Sequence, residues 1–312
     1  MIKLFQRLFN ALKCVFDFER ITNTINYYKT KRENRLLFNV WVKTKKGLLV
    51  HNNWGDDINY YLFQELSSKN IFNLSNMVHY FIPYNNYNIL AIGSIIEMRC
   101  RENSVIWGSG MMNGICKLKV KPYKVLAVRG PLTRMLLMKK GIECPEIYGD
   151  PALLLPLYYQ PSVKKKYKVG IIPHYNDLDN IYVSEFLQKY KNDSILINLR
   201  DYTHWRDIPE RINECEMILS SSLHGLIVSD AYNIPNVWVS FSDKIVGGNF
   251  KYLDYFKSVA RTTEKPWCIN GSIEYNDILR FIKHWSPITF NPEPLIRCCP
   301  FKLNYIDKFS KI

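Results

Sequence analysis

A chain of 312 residues with 47% hydrophobic and 22% charged side chains has room for two ordinary domains and is too apolar to be disordered. Its formal net charge of +14 suits polyanions, anionic membrane surfaces or a multiply charged small substrate. No zinc-finger spacing, RNP-like motif or helix-turn-helix accompanies that charge, so nucleic acid is not the expected partner.

The eight cysteines include no Cys-x-x-Cys, no apolar run approaches the roughly 18 residues of a membrane span, and no secretory leader opens the chain. A reduced, cytoplasmic protein is expected. Residues 1–16 carry an apolar stripe (Ile2, Leu4, Phe5, Leu8, Phe9, Leu12, Val15, Phe16) beside Lys3, Arg7 and Lys13. That pattern fits a helix packed on its own domain, or one lying peripherally on an anionic membrane. Strands are predicted over 37–42 and 48–50, then a polar loop Asn53–Asp57 and a helix from Ile58 to Leu66. Further strands follow at 88–92 and 104–107, the second running into Gly108-Ser109-Gly110, a turn of close backbone approach. A strand over 124–128 leads into Arg129-Gly130-Pro131 and a helix through Met138 that Gly141 stops. Ile147–Pro151 closes this half, and Pro156–Lys168 reads as a linker.

The second half predicts strands over 168–172, 194–199, 217–219 and 237–239, alternating with helices over 183–190, 206–215, 223–232 and 273–285. Such alternation implies mostly parallel sheets with right-handed crossovers. The expected fold is α/β, with two Rossmann-like domains over 1–157 and 168–290 and a tail over 291–312 that packs back or lies near a membrane. Ligand is expected in the inter-domain cleft, at the carboxyl ends of strands.

The segment richest in chemistry is Ser220-Ser221-Ser222-Leu223-His224-Gly225, where an apolar strand becomes a helix. Capping hydroxyls, uncompensated N–H groups and the positive end of the helix dipole favour phosphate or carboxylate there. His224 could move a proton to or from such a ligand, although a Ser-capped helix with a surface histidine would read the same way. Three more motifs precede it in order: Asn53-Trp54-Gly55-Asp56-Asp57, Val128-Arg129-Gly130-Pro131-Leu132-Thr133-Arg134 and Tyr148-Gly149-Asp150-Pro151. Together with Ile172-Pro173-His174-Tyr175, these motifs resemble the polysaccharide pyruvyl transferase family over roughly residues 45–245.

The resemblance implies a two-domain fold like that of GT-B glycosyltransferases. It also implies transfer of a carboxyethylidene group from phosphoenolpyruvate, a co-substrate needing no further cofactor, onto two hydroxyls of a sugar. The acceptor would belong to a capsular, exopolysaccharide or cell-wall glycan precursor, with a lipid-linked oligosaccharide the expected form. By the same resemblance Arg129 is the principal donor-binding cation, and Ser220, Ser221, Ser222 and Leu223 hold phosphate or carboxylate. Arg134 reads equally as a donor ligand or a surface ion pair. Asn53 and Trp54 fall on the acceptor side. Many relatives carry arginine where this chain has Ser222, and His174 or Lys244 is the basic group available to replace it.

Ketal formation requires a proton on C3 of the enol and an oxocarbenium-like C2, so His224 is assigned as the acid. Asp56 or Asp57 accepts a hydroxyl proton while the other caps the following helix, and Asp150 orders a turn. No histidine pairs with Cys or Asp at ligand spacing, so no metal is expected. Two other functions share these features. A nucleotide-sugar glycosyltransferase of similar architecture would bind a nucleoside diphosphate in the second half. A non-catalytic scaffold of polysaccharide synthesis would keep its role without His224.

Overall fold

The computed structural model describes residues 17–45, 48–78, 81–83 and 85–304. The apolar stripe expected at 1–16 and the end of the tail lie outside the described residues. Helix α1 (Phe18–Lys29) opens with Asp17, whose carboxylate caps the N–H groups of Glu19 and Arg20. Five parallel strands follow: β1 (Arg35–Phe38), β4 (Asn70–Asn73), β5 (Asn88–Leu90), β6 (Ser104–Trp107) and β7 (Lys124–Ala127). They lie in the order β4-β1-β5-β6-β7. A small antiparallel hairpin of β2 (Lys43–Lys45) and β3 (Leu48–Val50) stands apart. The second half forms β8 (Tyr167–Ile172), β9 (Ser194–Leu196), β10 (Cys215–Ser220), β11 (Asn236–Ser240) and β12 (Trp267–Cys268). These are again all parallel, in the order β12-β11-β10-β8-β9. Strands β5, β6 and β10 are buried along nearly their whole length, as strands covered on both faces are.

Both sheets are wound alike, with the second strand of each half outside the first and the third on its other side. The winding reverses between β1 and β5 in one half, and between β8 and β10 in the other. A parallel sheet leaves a crevice at the carboxyl ends of such a pair. The residues that follow these four strands are Asn39–Lys43, Ala91–Ser94, Pro173–Tyr175 and Ser221–His224.

One apolar cluster joins the two halves, running from Phe38, Phe63 and Trp107 to Leu199, Trp205, Leu226 and Tyr255. A second cluster, including Val169, Phe186, Leu219 and Ile278, lies within the second half. The described part of the tail lies against the first sheet. Phe301 meets the rings of Phe38, Phe63 and Trp107, and the Trp107 indole N–H donates to the carbonyl of Leu295 (2.9 Å). Among the described residues no helix is long and apolar enough to cross a membrane.

Several boundaries differ from the expectation. β1 stops at Phe38 because the Asn73 side chain takes over the next backbone groups, binding the Val40 N–H and the Val40 and Val42 carbonyls. The predicted loop Asn53–Asp57 is helical instead: α2 (Trp54–Ser67) starts at Trp54, capped by Asn53. Strands β4 and β12 escaped the sequence reading, as did α1 and the helix Phe250–Ser258. The expected linker overlaps a short helix, Leu155–Tyr158, and the start of β8.

Candidate active site

A cavity of about 590 Å³ opens at the two winding reversals, walled by the segments that follow β1, β5, β8 and β10. The first turn of α2 projects into it. Asn53 caps that turn through the Gly55 N–H (3.3 Å), and its amide donates to Asp56 Oδ2 (3.2 Å). Asp56 lies on the cavity wall, whereas Asp57 is fully buried behind it. Asp57 Oδ2 accepts from the N–H groups of Asn52 (2.8 Å) and Asn53 (3.1 Å) and from the Tyr202 hydroxyl (2.6 Å). Asp57 therefore reaches back to order the helix start, while Asp56 is the carboxylate presented to a ligand. Trp54 is on the other side of that turn, fully buried and outside the cavity lining. Its indole donates to the Trp205 carbonyl (2.7 Å) and its amide to the Leu199 carbonyl (2.8 Å), so it stitches the two halves together.

From the second half, β10 delivers the serine run and helix α8 (Leu223–Ala231). Ser220 is buried and turned inward: its Oγ donates to the Ile172 carbonyl (3.0 Å) and accepts from the Ser222 N–H (3.0 Å). Ser221 Oγ accepts from the His174 N–H (2.8 Å), and the Ser221 carbonyl accepts from the Tyr252 hydroxyl (2.7 Å). Of the three serines only Ser222 lines the cavity, with Leu223 and His224. It is the N-cap residue, yet its hydroxyl makes no capping bond, which leaves the first N–H groups of α8 for a ligand. Gly225 is required where α8 meets the strand, since a Cβ there would stand 2.4 Å from Ser220 Oγ.

His224 rests on α2. A Cβ at Gly55 would lie 2.0 Å from His224 Nδ1, so the glycine of the Trp-Gly-Asp-Asp motif makes room for the imidazole. The buried Nε2 of His224 has no hydrogen-bond partner. Burial, then Lys251 and Arg129, push its pKa down to about 3, and His174 falls to about 4 through burial, Lys251 and Arg200. Asp56 moves the other way: burial and the Asp57 charge lift it to about 7. These directions oppose the expected roles. Near neutrality the His224 imidazole carries no charge, and Asp56 holds a proton about half of the time.

Arg129 does not line the cavity. It is fully buried and paired with Asp254 (3.0 Å), which α9 (Phe250–Ser258) supplies. Its Nε also donates to Asp254 (3.1 Å), its Nη2 to the Met111 carbonyl (2.8 Å) and its Nη1 to the Ser94 hydroxyl. Thr133 completes the cradle, its N–H and hydroxyl bonding the same carboxylate at 2.8 and 2.7 Å. Gly130 lets α9 approach, because a Cβ there would meet the Asp254 carbonyl at 1.9 Å. These bonds let the buried guanidinium position Ser94 and α9, away from the residues that line the cavity. Arg134 points outward to Glu146 (3.2 Å) and the Cys144 carbonyl (2.9 Å). Asp150 caps the turn after Gly149 by accepting from the Ala152 N–H (3.0 Å), and burial raises it to about 6.

The cations that do wall the cavity include Lys251, Arg200 and Arg99. Lys251 comes from α9, is buried, and has its pKa lowered to about 8 by burial and by Arg129. It lines the same cavity as Ser222. Lys244 is outside the lining, and His174 lines the cavity but is held neutral. Arg200 lies over the Tyr175 ring (4.3 Å) and Arg99 over the Trp41 ring (3.6 Å). The sequence signal for Lys251 was its spacing: Lys251, Asp254 and Tyr255 fall on one face of a helix whose other buried residues are aromatic. Asp56 is the only Asp or Glu of the cavity wall among the described residues. Such a cavity favours a ligand carrying several negative charges.

The family model for polysaccharide pyruvyl transferase matches residues 2–243. The succinoglycan biosynthesis protein ExoV of Rhizobium meliloti (strain 1021) is 25% identical over 246 residues, covering 76% of this chain and 70% of that protein. An uncharacterised protein of Acanthamoeba polyphaga mimivirus is 28% identical over 207 residues, covering 63% of this chain and 70% of its own length.

Proposed function

Because the chain belongs to the polysaccharide pyruvyl transferase family, we propose that its cavity brings phosphoenolpyruvate beside a sugar diol and moves the carboxyethylidene group between them. The observation that carries this reading is the cavity wall: Lys251, Arg200 and the start of α8 around a single carboxylate, Asp56, with His224 alongside. Phosphoenolpyruvate brings about three negative charges, which a wall of this kind attracts. The phosphate lies against Lys251 and the α8 N–H groups, and the carboxylate toward Arg200. In this reading the two sheets enclose the substrates in a GT-B-like manner, and the acceptor belongs to a glycan precursor.

The proton assignments follow the electrostatics. Asp56, protonated near neutrality, gives its proton to C3, and C2 acquires oxocarbenium character. A sugar hydroxyl adds to C2 as neutral His224 takes its proton. The C2–O bond to phosphate then breaks, the second hydroxyl closes the ketal, and its proton leaves on the phosphate. Transfer of the His224 proton back to Asp56 resets the pair.

Calorimetric titration tests the donor. Phosphoenolpyruvate should bind saturably, and Lys251→Met should weaken it by about tenfold or more, the value of a charge-assisted contact. Binding of a nucleotide sugar such as UDP-glucose without any response to phosphoenolpyruvate would overturn the reading in favour of a glycosyltransferase.

A further inference from the structure

Resting on that reading, we propose that the Trp41–Arg99 wall of the cavity is the acceptor subsite and that it selects a glycosyl residue carrying a negative charge. Trp41 follows β1, is 45% exposed, and offers an aromatic surface to the cavity. Arg99 ends the helix Ile96–Arg99, where its carbonyl is fixed by the Asn39 amide (2.6 Å), and its guanidinium lies 3.6 Å over the indole. Among the described residues that guanidinium makes no hydrogen bond and no ion pair, and its Nε is buried without a partner. A half-buried guanidinium whose Nε is shut away from solvent without an acceptor is costly, and its position on a cavity wall points to an anion arriving with a ligand.

The donor does not account for it. Lys251, Arg200 and the start of α8, all from the second half of the chain, already balance the charges of phosphoenolpyruvate, whereas Trp41 and Arg99 come from the first half. Asp56, Lys251 and Arg99 line the same cavity, and the charges of both cations reach Asp56. The same cavity is also lined by Asn52, Ser75, Asn76 and Ser94, whose amides and hydroxyls match sugar hydroxyls. An aromatic face, neutral hydrogen-bonding groups and one unpaired guanidinium describe a site for an acidic sugar. A carboxylate on the sugar and a phosphate attached to it offer the same chemistry to Arg99.

The test uses the full chain with phosphoenolpyruvate present, titrated with methyl glucoside, methyl glucuronide and glucose 1-phosphate. At least one acidic compound should bind about tenfold or more tighter than the neutral glucoside. The tighter of the two identifies carboxylate or phosphate as the source of charge. Arg99→Met should erase the preference and leave phosphoenolpyruvate affinity within about twofold, while Trp41→Ala should weaken all three compounds alike. Equal binding of neutral and acidic compounds, or saturable binding of none, would overturn the subsite. So would an Arg99→Met that weakens phosphoenolpyruvate and spares the glycosides. If phosphoenolpyruvate itself fails to bind the unaltered protein, the donor reading falls, and the glycoside preference remains to be judged on its own numbers.

Discussion

Gly55 shows at the scale of one residue how the site is held together. The motif glycine sits inside a helix, where alanine would ordinarily be favoured by about 1 kcal/mol. It persists because the His224 ring occupies the place of its side chain. Gly55→Ala should therefore keep the fold, as circular dichroism and the melting temperature would show, and lower kcat by about a hundredfold or more by displacing the base. The protonation states give a second prediction. Asp56 must hold its proton and His224 must lack one, and both conditions are met between about pH 3 and pH 7. The pH profile of kcat/KM should therefore fall above about pH 7 as Asp56 ionises, about tenfold per unit, and Asp56→Asn should remove that limb together with most of the rate. A profile that rises through pH 7 would show that Asp56 works ionised. The sequence placed both residues in their motifs, but their protonation follows from burial, from the Asp57 charge on Asp56 and from Lys251 and Arg129 on His224, which pattern alone cannot report.

At the scale of elements, α9 does most to complete the site. One of its faces inserts Lys251 into the cavity, and the next turn sends Asp254 to Arg129. That ion pair is fully buried on both sides, so breaking it leaves an uncompensated charge. Arg129→Ala should lower stability by about 3–5 kcal/mol in denaturant unfolding. Once refolded in the presence of phosphoenolpyruvate, the variant should still bind it through Lys251; loss of binding with full stability would instead make Arg129 a ligand. The alternation of strands and helices was legible because buried parallel strands read as apolar runs between amphipathic helices. The partner of Arg129 was not, because 125 residues separate it from Asp254. A short polar strand such as Asn70–Asn73 carries no pattern distinguishing it from a loop. Trp54 illustrates the same limit: its place in a site motif suggested a ligand contact, and only the packing of the two halves shows that it joins them.

At the scale of the whole molecule, two sheets with the same winding bring their crevices together and line the space with positive charge. The free cavity holds His224 and His174 neutral, keeps part of the Lys251 population uncharged, and leaves Asp56 poised. An arriving anion raises all four pKa values, so donor binding near pH 7–8 should be coupled to net proton uptake. Titration in two buffers of different ionisation enthalpy would measure it, and a binding heat independent of buffer would contradict the electrostatic account. The most direct test of the central claim is a crystal structure with phosphoenolpyruvate bound. The account predicts phosphate against Lys251 Nζ and the first N–H groups of α8, with C3 of the enol beside Asp56. Donor density lying against Arg99 and Trp41, or outside the cavity altogether, would contradict it.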